Sequence, residues 1–223
     1  MSEWTTLKQD DKFYGEKYWQ WQSTNAILGG KIQAEVLFQD YIKLTDKVLD
    51  FGCGSGTTLK HINCQEKMGF EINPYAVKFS NEQSKVKTVS VLDDIPNNYF
   101  DVIITNHALE HTPTPYEDLL KLQKKLVSNG RIVIYVPSMQ DELMNLKKGY
   151  NYDDNDNHLF NWNHQLLANL LIKCGFKILD AQTKPYSRTG KSDNAYRTGG
   201  KEKFIKVASR ENRHPQTFVY ATL

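Results

Sequence analysis

Short apolar runs alternate along the middle of the chain with stretches in which leucines return every three or four positions. Runs at about 47–51, 67–71, 87–91, 100–105, 131–136 and 177–183 are too short for helices and have the length and composition of buried strands. A last run, 216–222, sets Phe218, Tyr220 and Thr222 against Thr217, Val219 and Ala221 in strand-like alternation. Helical spacing falls between the strands. It is expected at about 57–63, at 74–83 with Pro74 in the first turn, at 115–127 with Leu119, Leu120, Leu122 and Leu126, and at 160–173 with Leu166, Leu167, Leu170 and Leu171 before Gly175. Strand–helix alternation of this kind predicts an α/β fold, a doubly wound, mostly parallel sheet with helices on both faces.

The ends of the chain depart from that rhythm. Residues 1–43 are polar and rich in aromatics (Trp4, Phe13, Tyr14, Tyr18, Trp19, Trp21, Phe38, Tyr41), and Ile32, Val36, Leu37 and Tyr41 have helical spacing. They read as a helical cap before the sheet. Residues 44–184 form the core, 185–215 an insertion, and 216–223 the final strand, all within one domain. The segments 138–159 and 185–215 are long connections, a feature that goes with function or mobility.

Composition narrows the class. The chain has 223 residues, 39% hydrophobic and 24% charged, with a net charge of +2, as expected of a water-soluble globular domain. No apolar run approaches the ~20 residues needed to span a bilayer, and Met1-Ser2-Glu3-Trp4 has neither a basic nor an apolar leader pattern. Cys53, Cys64 and Cys174 are few and scattered, consistent with reduced thiols in the cytoplasm. The charge is uneven: residues 184–213 hold nine Lys and Arg against three acids. A basic insertion in an otherwise slightly acidic chain reads as a lid for an anionic substrate, with Arg188 and Arg197 as candidate ligands, or as a solvated surface.

The chemistry starts at Val48-Leu49-Asp50-Phe51-Gly52-Cys53-Gly54-Ser55-Gly56. A strand ends in an acid and passes into a glycine turn and a helix start, the device by which α/β folds bring backbone close to a nucleotide-like ligand. The spacing is G-x-G-x-G rather than the G-x-G-x-x-G of dinucleotide sites, and Asp50 suits a ligand amine better than a phosphate. Glu71 closes the next apolar run, about 20 residues on, where a carboxylate can accept ribose hydroxyls. Amine and ribose together describe S-adenosylmethionine. The pattern resembles the class I S-adenosylmethionine-dependent methyltransferases. The likeness continues through Tyr99–His111, Asn129–Pro137 and Cys174–Ile178, and covers about residues 44–184.

That resemblance implies a seven-stranded Rossmann-like sheet whose last strand inserts antiparallel beside the fifth. It implies S-adenosylmethionine as cofactor and S-adenosylhomocysteine as product, held by Asp50, Gly52, Cys53, Gly54, Gly56, Glu71, Ile72, Leu92, Asp93 and Asn106. The subgroup it suggests, ubiquinone-type and small-metabolite enzymes, carries a Glu-x-x-Glu-His element after the fourth strand that binds a metal in some members. Here the element is His107-Ala108-Leu109-Glu110-His111, with histidine in the first position. On a helical turn, residues 107, 110 and 111 share a face, and two imidazoles with a carboxylate can bind a divalent ion. His158 is a candidate fourth member. Three readings stand side by side: a metal site, a histidine base without metal, and a structural or substrate-contacting cluster. Tyr14 and Tyr18 are candidate substrate contacts.

The function expected is O-methylation of a small anionic metabolite, phosphate-bearing compound or activated sugar. The alternatives are a nucleic-acid 2′-O-methyltransferase and a non-catalytic S-adenosylmethionine-binding protein. A dinucleotide oxidoreductase is disfavoured by the glycine spacing and by Asp50.

Overall fold

The computed structural model describes residues 13–145, 149–152 and 154–223. Trp4 and Asp153 therefore lie outside the described residues. Helix α1 (Glu16–Gln33) runs through a π-turn (Ala34–Phe38) and a 3-10 turn (Gln39–Tyr41) into β1 (Lys47–Phe51), α2 (Thr57–His61) and β2 (Glu66–Phe70). Then follow α3 (Pro74–Phe79), β3 (Thr88–Val89), β4 (Phe100–Asn106), α4 (Pro115–Lys125), β5 (Leu126–Pro137) and α5 (Met139–Asn145). The chain ends with α6 (His164–Lys173), β6 (Lys177–Lys184), α7 (Gly190–Glu211) and β7 (Gln216–Thr222).

The seven strands lie in the order β3-β2-β1-β4-β5-β7-β6. β1 pairs parallel with β2 and β4, and β7 runs antiparallel between β5 and β6. The chain winds outward from β1 to β3 and then crosses to β4 on the other side. This makes a switch point between β1 and β4, and the crevice beyond their C-terminal ends is where such sheets bind ligands. The strands read as unbroken apolar runs because both faces are covered. Leu49, Ile103, Ile132 and Ile134 face a core closed by Leu119 and Leu122 of α4 and Leu167 and Leu171 of α6. Val48, Val102, Ile104 and Val133 face the other, closed by Leu37, Phe38, Phe204 and Ala208.

Several boundaries moved for local reasons. The helix expected at 160–173 begins only at His164, because the Asn163 side chain accepts from Leu166 N and caps it there. Leu166 is exposed rather than part of the apolar face. Leu126 opens β5 instead of closing α4. The largest difference is the basic insertion, which is not an open loop: most of it is α7. Thr189 caps the helix by accepting from Lys191 N and Ser192 N, and Phe204 and Ala208 are buried against the α1 extension. Tyr196 donates to Glu35, and Lys201 pairs with Asp40. The helix breaks at Gly199 and Gly200, the second with φ of 67°.

Candidate active site

A cavity of about 590 Å³ opens at the switch point. Its floor is the glycine turn after β1. Gly52 and Cys53 both donate their backbone N–H to Phe70 O, at 2.9 and 3.0 Å, which folds the turn back onto β2. Gly52 has φ of 77°, and a Cβ there would come within 2.3 Å of Ala108 Cβ, so only glycine lets the loops after β1 and β4 close up. Gly54 has φ of 51°, and a Cβ there would meet nothing within 4 Å. It would project into open space, as expected where a ligand comes close to bare backbone.

Two acids flank the turn, Asp50 buried and Glu71 half-buried. Glu71 Oε2 accepts from Gly54 N at 2.8 Å and Oε1 from Asn73 N at 2.9 Å, which fixes the carboxylate at the end of β2. Burial raises its pKa. Asp50 is 4% exposed, and burial, with the charge of Glu71 behind it, pushes its pKa up to about 8. Two desolvated carboxyls side by side are costly unless a cation or hydroxyl donors meet them. Asn106 Oδ1, buried at the end of β4, has no hydrogen-bond partner among the described residues. A ligand with an ammonium, a sulfonium and ribose hydroxyls fits this donor and acceptor set.

Asp50, Gly52, Cys53, Gly54, Glu71, Ile72, Leu92, Asn106, His107, His111, Tyr14, Tyr18 and Arg188 all line the cavity. Asp93, exposed on the 3-10 turn Leu92–Asp94, is not among its lining residues, and neither are Gly56, Glu110 and His158. Arg197 is exposed on α7, also outside the lining.

At the other end of the cavity the lining residues His107 and His111 stand in front of Glu110, whose side chain is 1% exposed. Its Oε1 lies 3.8 Å from His107 Nδ1, 3.8 Å from His111 Nε2 and 4.0 Å from His158 Nε2. The expected helical face is a single 3-10 turn, Leu109–His111. His107 joins it through a left-handed backbone, φ 52°, that turns the ring back toward Glu110. His158 arrives from far along the chain. Leu159 N and Phe160 N both donate to Glu110 O, at 2.9 and 3.2 Å, and this backbone docking sets the preceding imidazole beside the carboxylate.

The ring protons are sorted by the neighbours. The Gln216 amide donates to His107 Nε2 at 2.8 Å, which leaves the His107 proton on Nδ1, facing Glu110. Burial, aided by His158 and His111, pushes the His107 pKa down to about 3, so this ring is neutral. His111 Nδ1 donates to Asn157 O at 3.3 Å, which leaves Nε2 as the atom facing Glu110 and His158. Glu110, His111 and His158 offer ligand atoms that all lie within 4.8 Å of one another. Tyr14 covers the group: its hydroxyl accepts from Asn157 Nδ2 at 3.4 Å, and its ring meets His111 edge-on. Sequence reasoning missed Asn157, Tyr186 and Gln216, which carry no local motif. Gly29-Gly30 inside a helical pattern was the one signal available: a Cβ on Gly30 would meet Thr57 at 2.6 Å.

A doubly wound sheet with a glycine turn, two strand-end acids and a cavity at its switch point defines an α/β fold built around an adenosyl cofactor. The comparisons make this specific. The profile of the methyltransferase domain family matches residues 25–181. An S-adenosylmethionine-dependent methyltransferase from Archaeoglobus fulgidus is 25% identical, with a TM-score of 0.56 over 82% of this chain and 89% of that one. One from Mesorhizobium loti is 16% identical, with a TM-score of 0.61 over 88% of this chain and 100% of that one. A Haemonchus contortus N-methyltransferase, in complex with phosphomonomethylethanolamine and S-adenosylhomocysteine, is 13% identical, with a TM-score of 0.60 over 91% of this chain and 58% of that one. No curated protein sequence matches. The chain belongs to the methyltransferase domain family and is a class I S-adenosylmethionine-dependent methyltransferase. Among the described residues no helix is long and apolar enough to cross a membrane.

Proposed function

We propose that the enzyme methylates a hydroxyl of a small anionic acceptor, with His111 as the proton acceptor and Glu110 as its electrostatic partner. The observation that carries this reading is the buried Glu110 carboxylate facing imidazoles on the cavity wall. S-adenosylmethionine supplies an electrophilic methyl carbon whose leaving group is a neutral thioether, so no acid is needed there. A hydroxyl nucleophile, in contrast, must lose a proton as the new O–C bond forms. His111 Nε2 takes that proton, Glu110 stabilises the resulting imidazolium, and the Asn157 carbonyl holds the ring through Nδ1. His107 is unsuited to the role, because Gln216 occupies its Nε2 and its environment disfavours the charged form. Asp50, Glu71 and Asn106 orient the cofactor from the opposite side, and in-line positioning contributes several kcal/mol, roughly, to lowering the barrier. Arg188 on the cavity wall supports an acceptor that carries negative charge.

One observation favours a second reading of the same cluster. With its proton on Nδ1, His111 presents a lone pair to a carboxylate and to a second imidazole nitrogen, an arrangement that a divalent cation would complete. Such an ion would lower the pKa of a bound hydroxyl. Glu110, His111 and His158 are the residues that would hold it.

The test is transfer of labelled methyl to a panel of acidic hydroxyl compounds, amines and oligonucleotides. Label in an alkali-stable ether of an acidic compound is the expected result, and label confined to amines or oligonucleotides would overturn it. His111→Ala should lower turnover about hundredfold or more with S-adenosylhomocysteine binding intact. Elemental analysis and chelator treatment separate the metal reading from the metal-free one.

A further inference from the structure

Between β6 and α7 the chain passes along the cavity wall, and Tyr186 and Arg188 line it there together with Gln33, Thr57 and Thr58. Three features make this more than a surface arginine. Asp193 in the first turn of α7 lies 3.5 Å from Arg188 Nε, so one side of the guanidinium is held by an acid that the Thr189 cap fixes in place. The guanidinium also packs on α1: a Cβ on Gly29 would sit 2.1 Å from Nη1 and 2.8 Å from Cζ. Helix interiors disfavour glycine, and here its absence of a side chain is what admits the guanidinium to the wall. Beside it Tyr186 is buried, its ring packed against Phe204, and its hydroxyl has no hydrogen-bond partner among the described residues. A desolvated hydroxyl donor next to an oriented guanidinium suits an oxyanion.

We propose that Arg188 and Tyr186 form an anion subsite within the cavity, shaped by Gly29 and taking a carboxylate or phosphate group. Two molecules can bring that chemistry: the α-carboxylate of the cofactor's methionine part, or the acid group of the acceptor. Only the second source rests on the proposed function.

Calorimetry on the full chain separates them with three probes. These are S-adenosylhomocysteine, 5′-methylthioadenosine (which lacks the amino-acid part), and inorganic phosphate titrated into the S-adenosylhomocysteine-loaded protein. If the cofactor is the source, Arg188→Met weakens S-adenosylhomocysteine about ten- to hundredfold and leaves methylthioadenosine unchanged. If the acceptor is the source, S-adenosylhomocysteine is unchanged and phosphate binding is lost. Tyr186→Phe should give a smaller loss for the same ligand. Gly29→Ala, which displaces the guanidinium and keeps its charge, should do likewise, and it carries the test should Arg188→Met fold poorly. The proposal is overturned if the variants alter neither S-adenosylhomocysteine nor phosphate binding, or if methylthioadenosine weakens as much as S-adenosylhomocysteine. Absence of hydroxyl methylation would appear in turnover and not in these binding constants, so the two failures are distinct.

Discussion

The glycine-turn end of the cavity and the histidine end are built by different means. The first uses the ends of three adjacent strands, so Asp50, Glu71 and Asn106 come together because β1, β2 and β4 are neighbours in the sheet. Its key contacts are to backbone: Glu71 is fixed by Gly54 N and Asn73 N, and the turn by Phe70 O. The second draws on residues 14, 107–111, 157–158 and 216, of which only Gln216 lies within a strand. Side chains and one backbone docking, residues 159–160 on Glu110 O, hold it together. A site made from strand ends is as rigid as the sheet. One made from loops can change its residues without disturbing the fold, which is how one scaffold takes many acceptors.

The sharpest test of that division is a crossed measurement of binding and turnover. Glu71→Gln keeps the shape but removes the charge that two backbone N–H groups meet and that the proposed reading places on the cofactor. Cofactor affinity is expected to fall about ten- to hundredfold, read by calorimetry with S-adenosylhomocysteine. His111→Ala should show the opposite split, with affinity kept and turnover lost. Equal loss of both properties in both variants would mean that the two ends act as one unit.

The same division accounts for what was legible in the sequence. The strands and the glycine turn follow from periodicities and spacings a few residues long, whereas the antiparallel last strand is implied by the resemblance alone. Asp50, Glu71 and Asn106 could be found because strand ends are local features. Gln216 is invisible in that sense: it is simply the first residue of β7, and only the pairing of β7 with β5 carries it to His107. Tyr186 and Asn157 are similar cases, residues of ordinary type placed by long-range docking. The basic insertion misled for another reason. Its charges draw attention to a surface or lid role and away from the helical pattern: Ala195, Phe204 and Ala208, spaced along the same segment, are the buried face of a helix.

Acid–base behaviour distinguishes the two ends more finely. Asp50 is raised from its ordinary 3.8 to about 8 in the folded protein, so between those values the folded state holds a proton that the unfolded state has lost. Its contribution to stability is present at low pH and disappears as pH rises through about 8. His107 has the opposite sign. Its folded pKa lies below the ordinary 6.5, so the unfolded state takes up a proton first and stability falls as pH drops below 6.5 toward 3. Between about pH 4 and 6.5 the two slopes oppose each other, so the ligand-free protein should lose stability mainly as pH rises from 6.5 to 8; Asp50→Asn should remove that decline and leave an acid one, and His107→Gln should extend it to lower pH. A cationic cofactor beside Asp50 should suppress the alkaline decline, so its stabilisation grows with pH. Melting temperatures across pH 4 to 9, about several degrees apart at the extremes, would record this. A flat profile between pH 6.5 and 8 in the unmodified protein would show that Asp50 is ionised without its ligand.

The smallest expected effect concerns the basic helix. Arg197 lies exposed on α7, outside the cavity lining, whereas Arg188, on the same insertion, lies within it. If position rather than net charge makes an arginine a ligand, Arg197→Ala should leave cofactor affinity and acceptor KM unchanged. Its stability should stay within about 0.5 kcal/mol of the parent, as for most exposed substitutions. Added salt separates the two ideas again, because a diffuse basic field is screened over about 10 Å at 0.1 M, while a guanidinium held between Asp193 and Gly29 on the cavity wall is screened far less. An acceptor KM that rises equally in Arg197→Ala and in Arg188→Met, and rises with salt in the parent, would mean that α7 acts through its field. A rise confined to Arg188→Met would mean that the rest of the helix is there to hold that arginine and to cover the sheet.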